Sequence, residues 1–169
     1  QVPWWDEIAW MVRASPLRKI PANDWIQTPI VFDEPDRERT IRLLLDAYKR
    51  LDGEGTTPYL IFLADILKSG RIDQRVAQEL WMTWPMLREM RQAGMSFGGH
   101  TVSHPILANI SPEEQDFEIG ECKRRLVAEL GEPIDAFSYP VGGQASFNLH
   151  TRAALEKHGF RWAFTYLGG

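Results

Sequence analysis

One cysteine, Cys122, is the whole thiol complement of this 169-residue chain. An intrachain disulfide framework and a thiolate zinc cluster are therefore excluded, and any metal must be held by histidines and carboxylates. No window approaches the roughly 18 consecutive apolar residues of a membrane-spanning helix, so no membrane span is expected. Basic charge is also scarce: 19 Lys plus Arg against 23 Asp plus Glu leave a net charge of -4, which argues against a nucleic-acid partner. The chain opens at Gln1 rather than Met and closes on Gly168-Gly169 after a strand-like run, so both ends are read as cut. What remains is a globular composition with 44% hydrophobic residues, enough to build a core.

Residues 1–81 read as mostly helical. Trp5, Ile8 and Val12 recur at helical spacing, as do Ile41, Leu44, Leu45, Tyr48 and Leu51. A third helix is expected from Tyr59 to Leu67 and a fourth from Asp73 towards Trp81, with an irregular Pro-rich linker from Pro16 to Pro35. From residue 82 the pattern becomes helix, glycine, strand. Helices are expected over Trp84–Ala93, from the capping box Ser111-Pro112-Glu113-Glu114 to Leu130, and over Leu149–His158; strands over Met95–Gly98, Ile134–Tyr139 and Phe160–Tyr166. Alternating strands and helices imply parallel strands, with the loops Gly99–Leu107 and Pro140–Asn148 at one end of the sheet.

Two of these loops carry chemistry. In Gly98-Gly99-His100-Thr101-Val102-Ser103-His104-Pro105, two imidazoles four residues apart suit one metal ion. The same spacing also suits a pair of loop histidines bonded to backbone. The flanking glycines and proline put the pair on a strand-to-loop turn, unlike the helical His-Glu-x-x-His of zincins. In Phe137-Ser138-Tyr139-Pro140-Val141-Gly142-Gly143, a Pro-x-Gly-Gly turn either exposes backbone N–H groups to a developing oxyanion or is an ordinary turn.

Together these residues resemble the polysaccharide deacetylase family, also called the NodB-homology domain or carbohydrate esterase family 4. His100, Thr101, His104 and Pro105 match its His-[Ser/Thr]-x-x-[His/Ser] motif. Phe137 to Gly142 match the Phe-x-Tyr-Pro-x-Gly variant of its second motif. The likeness continues through Met82-Thr83-Trp84, Ala93-Gly94-Met95, Arg124-Arg125-Leu126 and Gly159 to Thr165, and so covers residues 82–169. Residues 1–81 resemble an insertion in a bacterial branch associated with exopolysaccharide synthesis, which implies a cell-envelope or exopolysaccharide setting. The implied fold is α/β: part of a deformed, NodB-like (β/α) barrel over 82–169, preceded by a mainly helical N-terminal insertion over 1–81. The implied activity is metal-dependent hydrolysis of N-acetyl groups on an N-acetylated polysaccharide or oligosaccharide. By the same resemblance His100 and His104 hold a divalent metal, zinc first, with cobalt, nickel or manganese as alternatives. The Val141 backbone N–H is the implied oxyanion donor. Tyr139, Pro140, Gly142 and Trp162 are implied to bind substrate, with core packing the alternative for Trp162.

The departures from that family set further expectations. Its opening Thr-Phe-Asp-Asp-Gly motif, source of the base and third ligand, has no copy here, and its closing Leu-x-His segment is missing too. Asp33, in Val31-Phe32-Asp33-Glu34, is a substitute base only if a Pro-rich linker can stand for a strand. The chain is therefore expected to be an incomplete, weakly active or inactive fragment whose open sheet edges favour self-association. Two alternatives stay open: a catalytically dead glycan-binding or scaffold module of the same fold, and an allantoinase-like hydrolase of small cyclic amides. His150 and His158 sit at helix ends and are not read as ligands.

Overall fold

A computed structural model of the chain describes residues 2–32, 37–73, 75 and 81–166. It divides into two compact units, residues 1–80 and 81–169.

In the first unit, helix α1 (Trp4–Ala14) buries Ile8, Met11 and Val12. Helix α2 (Glu38–Tyr48) buries Ile41, Leu44 and Tyr48, and α3 (Gly53–Ile66) buries Tyr59, Leu60 and Leu63, giving one shared apolar cluster. Trp4 lies within it, stacked on Tyr48 with ring centroids 4.2 Å apart, so its ring packs the core. The one buried acid of α1, Glu7, is neutralised by the Arg71 guanidinium, whose second contact measures 2.8 Å; a buried carboxylate needs such a partner. Arg37 donates to the Val12 and Ser15 carbonyls, satisfying groups that the end of α1 leaves open. The linker is less irregular than its prolines suggest: strands β1 (Lys19–Ile20) and β2 (Ile30–Val31) pair antiparallel within it. Asp33 and Glu34 lie outside the described residues, as does most of the helix expected from Asp73 towards Trp81.

The second unit alternates helices and parallel strand segments. Helix α4 (Trp84–Gln92) precedes Gly94, whose φ of +92° ends it in a conformation that favours glycine. Helix α5 (Pro112–Leu130) begins at the expected capping box: the Glu114 amide donates to Ser111 Oγ at 3.2 Å and the Ser111 amide to Glu114 at 2.9 Å. Gly131, at φ +70°, closes it. Helix α6 (Leu149–Lys157) starts at a second capping box, Asn148 with Thr151.

Strands are shorter than the apolar runs that announce them. The run Ile134–Tyr139 yields β3 (Ala136–Ser138), Phe160–Tyr166 yields β4 (Trp162–Phe164), and Met95–Gly98 yields none, its ladder reduced to one parallel bridge from Gly99 to Phe137. β3 pairs parallel with β4 in the register Ala136↔Trp162. The order is therefore Gly99, β3, β4, and among the described residues these segments close no barrel. Backbone contact at Gly98 and Gly99 is too close for side chains. A Cβ at 98 would sit 2.8 Å from the Ala136 carbonyl oxygen, and one at 99 would sit 2.9 Å from the Phe137 ring. Leu107, Ile119, Ile134, Phe137 and Leu155 form the core beneath this sheet.

Candidate functional site

His100 follows Gly99 at the carboxyl end of the first strand segment, and Tyr139 follows β3 directly, so the two loops emerge side by side as parallel topology requires. The His100 and His104 rings stand 4.6 Å apart at 71°. His100 Nδ1 lies 2.7 Å from the Ser138 carbonyl oxygen. A carbonyl only accepts, so Nδ1 carries the proton and the lone pair of the neutral ring is on Nε2, the arrangement by which a second bond orients a metal-ligating imidazole. Burial, then the charge of His100, lowers the His104 pKa from 6.5 to about 4. Its ring is neutral at neutral pH, as a nitrogen ligand must be.

The loop between the two rings is tightly bent. Thr101 and His104 both have left-handed backbones, at φ +67° and +59°, which residues with side chains adopt at a cost. Thr101 Oγ1 accepts the His104 amide at 3.0 Å. From below, α5 presents Glu118, buried, whose carboxylate accepts the Val102 amide at 2.6 Å, the Ser103 amide at 2.9 Å and the Ser103 hydroxyl at 2.5 Å. One turn further along α5, buried Cys122 meets backbone groups of His100 and Thr101, and burial pushes its thiol pKa up.

Val141 is the third residue here with a left-handed backbone, at φ +63°. It is exposed, and among the described residues its N–H donates to no backbone carbonyl. The neighbouring residues do not face solvent. Tyr139 is buried, stacked on Phe147 at 4.1 Å, and Pro140 and Gly142 are buried beside it. A Cβ on Gly142 would lie 2.6 Å from the Tyr166 amide nitrogen, which donates to the Gly142 carbonyl at 2.9 Å; these residues shape the turn that carries Val141. Trp162 is 62% exposed on β4, which corrects its core-packing alternative. His158 bonds Asp116 at 2.9 Å and His150 is exposed on α6.

The donor set fits two ligands of a metal site. Among the described residues no group of three or more His, Cys, Asp and Glu comes together, so a third ligand is not found there, and Asp33 lies outside them. Sequence reasoning overlooked Glu118. Its signal was an acid one turn before Cys122, beside Ile119 on the apolar face of α5.

The chain is similar to proteins of known family. The chain is 29% identical over 94 residues to the protein named "Putative polysaccharide deacetylase YxkH" of Bacillus subtilis (strain 168), over 56% of this chain and 33% of that one. A solved structure, the Streptococcus pyogenes deacetylase PplD in complex with acetate, shares 34% identity over 47% of this chain and 34% of its own, with a TM-score of 0.45. The chain spans about a third of the length of these relatives. The model of the polysaccharide deacetylase family matches residues 57–163, starting within α3 and running through both loops. With well over half of its length covered by that match, the chain belongs to the polysaccharide deacetylase family.

Proposed function

We propose that this chain carries the two-histidine part of a metal-dependent hydrolase that removes N-acetyl groups from an N-acetylated polysaccharide or oligosaccharide. The observation that carries the reading is the hydrogen bond from His100 Nδ1–H to the Ser138 carbonyl. It fixes the tautomer and leaves Nε2 as donor beside a second ring that burial keeps neutral. His100 and His104 would hold a divalent ion, zinc being the best match to neutral imidazole ligands in a four-coordinate site. When bound, such an ion supplies Lewis-acid polarisation and lowers the pKa of water.

The chain's own residues do the rest of what is assigned here. Hydrolysis breaks the amide C–N bond; the carbonyl carbon takes an oxygen from water and leaves as acetate, and the sugar nitrogen takes a proton. Negative charge develops on the carbonyl oxygen, and the N–H of Val141, an exposed residue with a left-handed backbone, is the donor to that oxygen. Exposed Trp162 offers an aromatic face of the kind that packs on a pyranose ring.

Titration of the chain with Zn²⁺ tests the reading. One equivalent should bind, and His100→Ala and His104→Ala should each weaken binding at least about tenfold. Zn²⁺ binding that neither substitution changes would overturn it.

A further inference from the structure

We infer that Glu118 is the positioning residue of the histidine pair: its buried carboxylate holds the His100–His104 loop in the bend that brings the two rings together. The inference rests on the proposed function only for what the rings bind; the loop geometry stands without it. Three donors converge on this one side chain, the Val102 amide, the Ser103 amide and the Ser103 hydroxyl, at 2.5–2.9 Å. These donors are the middle of the His-x-x-x-His segment, flanked by the left-handed Thr101 and His104. Two left-handed residues with side chains, three positions apart, persist only where the surroundings over-determine them. Thr101 Oγ1 braces the His104 amide from within the loop, while Glu118 braces the Val102 and Ser103 amides from another element.

The geometry of α5 makes Glu118 suited to this. Residues 118 and 122 lie one helical turn apart on the same face, so Glu118 takes the Val102–Ser103 half of the loop while Cys122 underlies the His100–Thr101 half. A carboxylate that is only 8% exposed is costly to bury. Charge-assisted bonds from backbone amides are the compensation the structure provides. No ordinary packing role requires an ionisable group there, since Ile119 and Leu126 already fill the apolar face.

The test uses the 169-residue chain with Glu118→Ala and, should that variant fold poorly, Glu118→Gln, which keeps side-chain volume but turns one acceptor towards donors. Amide exchange in the metal-free protein should accelerate at Val102 and Ser103 by about tenfold or more, with the α6 amides unchanged. Co²⁺ affinity should fall about 10–100-fold, the range for groups that orient metal ligands from behind. Exchange at Val102 and Ser103 equal to that of the unsubstituted chain, or acceleration spread evenly over α5 and α6, would overturn the inference. If the unsubstituted chain binds no Co²⁺ and no Zn²⁺, the proposed function fails, and the exchange measurement still decides the role of Glu118.

Discussion

His104 shows how far one residue's chemistry depends on where its loop lies. The spacing of the two histidines is visible in the sequence, but the depression of the His104 pKa to about 4 comes from burial and from His100. Between about 4 and the ordinary 6.5 the unfolded chain binds a proton that the folded chain refuses. This contribution to stability is therefore complete above 6.5 and is lost as the pH falls towards 4. Urea midpoints measured from pH 7 to pH 4.5 should fall more steeply for the natural chain than for His104→Asn. Equal slopes would mean that the folded protein does not exclude that proton. Glu118 and the tautomer of His100 were not legible in the same way, because both are set by partners 15 or more positions away: Ser103 for one, Ser138 for the other.

Among the elements, helices were read more accurately than strands, for a local reason. α5 and α6 advertise their ends through Ser111, Gly131 and Asn148, each bonded or bent within a few residues of the boundary. β3 and β4 have only three residues each, and their limits depend on a neighbouring strand that the flanking sequence does not encode. A mid-helix glycine in α5 was equally opaque. A Cβ at Gly120 would lie 2.5 Å from the ring of His158, which Asp116 holds at 2.9 Å while Lys157 grips the same carboxylate at 2.8 Å. Alanine is the better helix former by about 1 kcal/mol, yet overpacking costs about 1–3 kcal/mol. Gly120→Ala should thus lower stability, and His158→Ala in the same chain should restore most of the loss. Denaturation of the single and double variants measures this, and a stabilising Gly120→Ala would show that the ring moves aside freely.

For the molecule as a whole, surface and sole cysteine each carry a consequence. Trp162, Phe164 and Tyr166, 62%, 59% and 84% exposed, line β4 and the residues after it, at the edge of the sheet among the described residues. An open edge bearing apolar side chains is a template for pairing. Phe164→Lys should therefore reduce concentration-dependent association in sedimentation velocity, and a natural chain that stays monomeric at every concentration would remove that expectation. Cys122 lies against the backbone of His100 and Thr101, and no other thiol exists in the chain. A thiol reagent reaches this buried side chain only when the packing around it opens, and lifting of the loop from α5 is one such opening that the labelling rate should report. Zn²⁺ that bridges the two rings should slow the labelling, which turns an inert core residue into the reporter of its own lid.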